Sequence, residues 1–190
     1  MIGSLEAILA PGIALYDVVQ QLPRGRGRYR HRPASAIRRI YVHHSGADNA
    51  RINGYEALHV SAVYSTGVRN WPGCGYHYWV SRDPDRDALS RLIVYRANYD
   101  ATRSYHTGLA ANGHGVGVAL EGDTTRQGMT GRQERCLGAL VSWLIARHSL
   151  ELPTGLSGHW EAWRYGGKPK RSCPGRAAQA WVETRRSRAA

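Results

Sequence analysis

Two histidines and one cysteine stand where they could hold a metal ion. His43 closes an apolar, strand-like run, His159 follows a Leu-Ser-Gly turn, and Cys173 comes directly before a Pro-Gly pair. Two imidazoles and one thiolate suit a tetrahedral zinc ion whose fourth position stays open for water, as catalytic zinc requires. Taken alone, three residues so far apart in sequence are a weak signal, because each could equally be an ordinary core or surface residue.

The elements around these residues decide whether the three side chains can meet. Residues 37–44 (IRRIYVHH) and 115–120 (GVGVAL) are typical of buried strands. Residues 75–82 (GYHYWVSR) alternate like a strand before a break at Asp83-Pro84-Asp85, and residues 89–98 (LSRLIVYRAN) predict another. Each candidate ligand then lies at a strand end or in a loop, where it can be presented at one rim of a sheet.

Helical patterns are interleaved with these strands. The clearest helix covers residues 130–149, where Thr130 is a suitable N-cap with Gln133 three residues later. Its apolar positions form one stripe: Cys136, Leu137, Leu140, Val141, Leu144 and Ile145. Residues 53–64 and about 175–185 predict two more helices. This order predicts the α/β class, with a single domain in which helices flank a central mixed β-sheet.

The N-terminal region looks different from the rest. Mixed apolar spacing over residues 4–22 favours one broken helix or two short ones, and residues 23–33 (PRGRGRYRHRP) form an arginine-rich connector that should be an exposed loop. We therefore divide the 190-residue chain into a helical extension with its connector, residues 1–36, and a main domain, residues 37–190.

Charge and cysteine count limit the classes of partner and compartment. The formal charge of +12 and pI near 10.2 favour a polyanion, which could be nucleic acid, an anionic membrane or an acidic cell wall, although compositional bias explains the charge as well. Three scattered cysteines do not make a disulfide scaffold. The N-terminus lacks the basic region of a signal peptide, which predicts synthesis in the cytoplasm.

Four sequence blocks carry a family resemblance. They are YVHHSGA (41–47), GCGYHYWVSRD (73–83), SYHTGLAANGHGVGVALEGD (104–123) and GHWEAWRYGGKPKRSCPG (158–175). Together they resemble the zinc-dependent N-acetylmuramoyl-L-alanine amidases, a family that includes phage endolysins and peptidoglycan recognition proteins. The resemblance covers roughly residues 37–185. It implies the fold of these proteins and a hydrolase that cleaves the amide bond between N-acetylmuramic acid and L-alanine in peptidoglycan.

The resemblance also implies roles for single residues. His43, His159 and Cys173 match the ligands of one catalytic Zn²⁺, and Tyr76 matches the catalytic tyrosine of the phage-type members. His106 matches a histidine near the substrate. It implies substrate-binding roles for His106 and, in the following loop, Asn112. Trp160 is a further substrate-binding candidate that could line the same groove, and packing in the core explains it equally well.

The chain departs from the family pattern at two positions. Ala119 stands where some members use a catalytic glutamate, so we do not expect that mechanism here. Arg171 stands where phage-type members have a lysine; it could hold an oxyanion by its charge and is our second catalytic candidate, although its high pKa makes it a poor proton donor.

Two other functions compete with the amidase. Relatives that lack a complete ligand set bind peptidoglycan without cutting it, but all three ligand positions are filled here. Arginine-rich residues 24–32 and 185–188 suggest a regulator that binds nucleic acid or a polymerase, although nucleic acid is not the expected main partner. We expect a monomeric endolysin, kept in the host cytoplasm until lysis, whose N-terminal helix and arginines touch an anionic envelope surface.

Overall fold

Seven strands form one mixed sheet in the order β1-β2-β5-β4-β6-β3-β7. The computed structural model describes residues 3–46, 52–108, 110–165 and 172–188. The strands are β1 (Ser4–Ala10), β2 (Ile13–Asp17), β3 (Arg39–His44), β4 (Tyr78–Val80), β5 (Leu92–Arg96), β6 (Gly115–Leu120) and β7 (Leu156–Gly158). The α-helices are α1 (Tyr55–Gly67), α2 (Gly131–His148) and α3 (Arg176–Ser187). The predicted mixed sheet with flanking helices is confirmed.

Parallel pairing in the centre of the sheet brings the chemically interesting strand ends together. Strand β3 pairs in parallel with β6 and β7, and β4 pairs in parallel with β6. Because parallel strands point the same way, their carboxyl ends lie along one edge of the sheet. The side chains that follow β3 and β7 therefore meet at that edge.

Alternation along the strands separates the two faces of the sheet. Ile40 and Val42 of β3 pack in the same apolar cluster as helices α2 and α3, whereas Tyr41 points to the opposite face. His43 follows Tyr41 by two residues and shares its face. Strand β4 behaves likewise, because Tyr78 packs on the α2 side and Trp79 packs with α1.

The three helices predicted after residue 50 are present with small differences at their ends. Helix α2 begins after Thr130, whose hydroxyl accepts a hydrogen bond from the Gln133 backbone N–H at 3.1 Å. Its predicted apolar stripe is buried except for half-buried Ile145, as expected for a helix that covers one face of a sheet. Helix α1 runs three residues beyond the predicted end, and α3 two residues beyond.

The helix expected over residues 4–22 is wrong, because this region is a β-hairpin. Strands β1 and β2 pair antiparallel around a turn at Gly12, which has a positive φ of 74°. Strand β2 then pairs in parallel with β5, so the hairpin belongs to the main sheet. Short apolar runs do not distinguish strands from helices by periodicity, and the Pro11-Gly12 pair between the two runs forms the turn of the hairpin.

The arginine-rich connector is exposed only in part. Tyr29 and Arg32 are buried, against our expectation of an exposed loop. The Arg32 guanidinium donates to the carbonyl oxygens of Asp100 (2.9 Å) and Asn112 (2.9 Å). The connector is therefore tied to the loops around the site. Within the described residues, no helix is long and apolar enough to cross a membrane.

Candidate metal centre

The three predicted metal ligands meet at the carboxyl edge of the sheet. His43 lies near the end of β3, His159 comes directly after β7, and Cys173 precedes α3. One donor atom from each residue lies within 4.8 Å of the others. His43 is buried, whereas His159 and Cys173 are half-buried, so the cluster has a covered side and an open side.

The spacing of the donors fits a zinc ion. Nδ1 of His43 lies 3.8 Å from Sγ of Cys173. Zn–N and Zn–S bonds of about 2.1 and 2.3 Å at a tetrahedral angle place the two donor atoms roughly 3.6 Å apart. The His44 backbone N–H also points at Sγ, at 3.4 Å, which favours the thiolate form that ligates metals. Donor chemistry and distance therefore agree with a tetrahedral zinc site.

Backbone contacts hold the two loop ligands against each other. The Trp160 N–H donates to the carbonyl oxygen of Cys173 at 3.0 Å, so the residue after His159 is tied to Cys173 itself. The Thr124 hydroxyl donates to the carbonyl oxygen of Pro174. These contacts fix the approach of the thiol to the strand ends.

His106 is in direct contact with His43. Its Nδ1 lies 3.1 Å from Nε2 of His43, and its Nε2 lies 3.0 Å from the carbonyl oxygen of Gly115 on β6. The ring is 6% exposed and lies against Gly117, where a Cβ would be 2.5 Å from Cγ of His106. His106 is thus packed between β6 and a predicted metal ligand, and only its edge reaches the groove.

Burial lowers the pKa of the histidines in and around the cluster. For His43 and His106, loss of hydration is the main cause of a pKa well below the usual range, and neighbouring histidines lower it further. His77, also buried, has its pKa lowered to about 4 for the same main reason. Neutral imidazole is the form that binds a metal.

Tyr76 borders the metal centre. The centroid of its ring lies 5.3 Å from that of His43, and the Asn98 side chain donates to its backbone carbonyl at 2.9 Å. Burial is the main cause that raises the pKa of the Tyr76 phenol, and the negative charge of a Cys173 thiolate adds to it. The hydroxyl therefore keeps its proton at neutral pH and can donate a hydrogen bond.

A groove of about 850 Å³ opens from the cluster and is strongly basic. Its walls include Arg30, Arg69 and Arg103, and no carboxylate lies among the described residues that line it. Besides Tyr76, these walls carry three aromatic side chains: Tyr64, Trp71 and Tyr105. The guanidinium of Arg69 stacks on Trp71, with its carbon 4.9 Å from the ring centroid.

Sequence reasoning missed this basic wall. Arg30 and Arg103 are neighbours because the backbone N–H of Arg103 donates to the carbonyl oxygen of Arg30 at 2.8 Å. The arginine-rich connector pointed to Arg30 only as part of a charged stretch. No pattern in the sequence singled out Arg69 or Arg103.

The other predicted site residues have mixed placements. Asn112 lines the groove, and its side-chain oxygen accepts from the backbone N–H (2.9 Å) and hydroxyl (2.8 Å) of Thr107. Trp160 is not among the described residues of the groove wall. Arg171 lies outside the described residues.

Two acidic residues near the site, Glu121 and Asp123, make contacts with residues of the neighbouring elements. Glu121 accepts from the backbone N–H groups of Gly54 and Arg82, both at 3.2 Å, and so holds the start of α1. Nδ1 of His44 lies 3.4 Å from a carboxylate oxygen of Asp123.

Comparisons with known proteins agree with this geometry. The sequence model described as N-acetylmuramoyl-L-alanine amidase matches residues 33–176. No curated protein sequence matches the chain. Among solved structures, the Ph2119 endolysin from Thermus scotoductus MAT2119 bacteriophage Ph2119 matches with a TM-score of 0.67 and 20% identity, covering 90% of this chain and 97% of that one.

Two peptidoglycan recognition proteins share the same fold. The SD protein of Drosophila matches with a TM-score of 0.71 and 13% identity, covering 90% of this chain and 94% of its own. The LE protein, solved in complex with tracheal cytotoxin, a monomeric diaminopimelic acid-type peptidoglycan, matches at 0.67 and 14% identity, with coverage of 86% and 88%. At these identities the structural likeness shows the fold.

Proposed function

Since the chain belongs to the N-acetylmuramoyl-L-alanine amidase family, we propose that it is a zinc hydrolase that cleaves the bond between N-acetylmuramic acid and L-alanine in bacterial peptidoglycan. One observation carries the proposal: donor atoms of His43, His159 and Cys173 cluster within 4.8 Å beside an open groove. A protein that only binds the wall has no need for a complete zinc ligand set.

The residues around the cluster have different roles in the proposed amide hydrolysis. Zinc at this site would acidify a water molecule and polarise the amide carbonyl. Tyr76 donates a hydrogen bond to the amide oxygen as negative charge develops on it. Arg171 is our second candidate for stabilising that charge. Buried His43 stays neutral and keeps a lone pair for the metal.

The basic groove supports a peptidoglycan stem peptide as the ligand. Stem peptides carry carboxylates, and Arg30, Arg69 and Arg103 offer three guanidinium groups along walls where no described residue supplies a carboxylate. Asn112 braces the loop at one side of the groove, and His106 shows an edge there. Trp71 and Tyr105 add flat apolar surface for the peptide or sugar.

The biological setting that we propose is lysis of a bacterial host by a phage. The Ph2119 endolysin shares the fold, which supports this setting. The enzyme would remain in the host cytoplasm as a monomer until lysis. The exposed arginines of the connector, Arg24, Arg26 and Arg28, then favour contact with an anionic envelope.

Mass spectrometry of products from purified peptidoglycan tests the function. We expect release of intact stem peptides with a free L-alanine amino group, lost with a zinc chelator and restored by added zinc. Release of nothing by protein that holds zinc and binds the wall would identify a recognition module. A shift of DNA in gels that disappears at modest salt would mark nucleic-acid binding as charge alone.

Tyr76→Phe should fold normally, hold zinc, and turn over about 100-fold or more slowly, because one hydrogen-bond donor to the oxyanion is lost. Product release over time measures the rate, and metal analysis confirms the zinc content. Tyr99→Phe is the matched control, because that ring is 39% exposed and packs on Arg96. Equal rates for Tyr76→Phe and the wild type would exclude the phenol from the reaction.

A further inference from the structure

The structure assigns His106 a positioning role: we propose that it fixes the tautomer and ring orientation of His43 so that Nδ1 faces the metal. This inference rests on the zinc site of the proposed function. It changes the role that the family resemblance implies for His106, from substrate contact to support of a metal ligand.

The first step is the proton on His106. Its Nε2 lies 3.0 Å from the carbonyl oxygen of Gly115, which can only accept a hydrogen bond. Nε2 therefore carries the hydrogen. The ring is 6% exposed, and a buried imidazole with one hydrogen already on Nε2 keeps a lone pair on Nδ1.

The second step concerns the position of the hydrogen on the His43 ring. Nδ1 of His106 lies 3.1 Å from Nε2 of His43, and since the former accepts, the latter must donate. A neutral His43 with its hydrogen on Nε2 has its lone pair on Nδ1. That is the atom 3.8 Å from Sγ of Cys173, on the side where the three donors converge.

Strand β6 is built to hold His106 in this place. Gly115 supplies the carbonyl acceptor, and Gly117, two residues on and on the same face, supplies the space for the ring. A side chain at Gly117 would place its Cβ 2.5 Å from Cγ of His106. The Gly-Val-Gly-Val sequence thus puts two valines in the core, while on the other face Gly115 lies against Tyr41 and Gly117 against His106.

Removing such a partner of a metal-binding histidine typically weakens metal affinity by about 10- to 100-fold. The test compares His106→Leu, which lacks an acceptor, with His106→Asn, whose side-chain oxygen can stand near the position of Nδ1. His114→Leu is the matched control, since that half-buried histidine contacts Tyr41 through its ring and none of the three donors. Zinc affinity is measured by competition with a chromogenic chelator.

We expect His106→Leu to bind zinc about 10- to 100-fold more weakly, and His106→Asn and His114→Leu to stay within a few-fold of the wild type. Nitrogen-15 NMR of the metal-free wild type should find the His43 hydrogen on Nε2, and in His106→Leu a shift toward Nδ1. A wild-type hydrogen on Nδ1, or unchanged affinity in folded His106→Leu, would overturn the role.

These readouts separate this inference from the proposed function. If wild-type protein binds no zinc, the proposed zinc hydrolase activity is wrong. The tautomer of His43 in the metal-free protein still tests the role of His106 in that case. If zinc binds and peptidoglycan is cut but the tautomer is the other one, only the positioning role fails.

Discussion

Cys173→Ser should lose its zinc and lower amidase turnover by at least about 100-fold, because zinc contributes several kcal/mol to such reactions. The serine hydroxyl keeps its proton at neutral pH and is a poor ligand, so two imidazoles remain where three donors converge. Metal analysis after dialysis gives the zinc content, and release of stem peptides gives the rate. Circular dichroism should show an unchanged fold.

Cys136→Ala is the matched control for this substitution. Cys136 is a free cysteine in the apolar core under α2, and burial raises its pKa to about 11. Its thiol is therefore inert, and we expect one zinc per chain and a normal rate. A Cys173→Ser protein that held zinc at full stoichiometry and kept its rate would remove Cys173 from the ligand set.

Deleting residues 1–36 should prevent folding. The deletion removes β1 and β2, exposes one edge of β5, and takes away the buried side chains of Ile13 and Leu15. It also removes Arg32, which ties three loops together. Loss of a single large core side chain costs about 2–5 kcal/mol, and whole domains are stable by only about 5–15 kcal/mol. Thermal unfolding followed by circular dichroism measures the outcome.

Two point substitutions in the hairpin test the same expectation, one at a buried and one at an exposed position. Leu15→Ala should lower the free energy of unfolding by about 2–5 kcal/mol, because Leu15 is fully buried. Leu5→Ala in the same hairpin should change it by about 0.5 kcal/mol or less, since Leu5 is 49% exposed. A truncated chain with a cooperative transition at the wild-type temperature would show instead that the hairpin is dispensable.

Sequence reasoning found the elements whose residue patterns fit only one type of secondary structure. Helix α2 has a cap, a long apolar stripe and a clear end, and β6 is an unbroken buried run. The N-terminal hairpin was missed because its two apolar runs, seven and five residues long, fit a helix as well as a strand. Only pairing with β5 decides between them, and that partner is more than 70 residues away in sequence.

In the candidate site, too, some residues could be predicted from local sequence patterns and others could not. His43, His159 and Cys173 lie in recognisable motifs, so their types and neighbours were enough to predict the cluster. The position of His106 behind His43 depends on the register between β3 and β6, which no local pattern reports. The basic wall of the groove joins a connector, the end of α1 and a loop, so its members come together only in three dimensions.

For protein engineering, the alternation along β3 divides the strand into two sets of positions with different uses. Ile40 and Val42 face α2 and α3, whereas Tyr41 and His43 face the opposite side, where the three donors cluster. Libraries that repack the α2 side can therefore be screened for heat tolerance without altering the candidate metal ligand on the other side of the strand. Libraries at groove positions away from the three donors can be screened for new ligands on a core that stays constant.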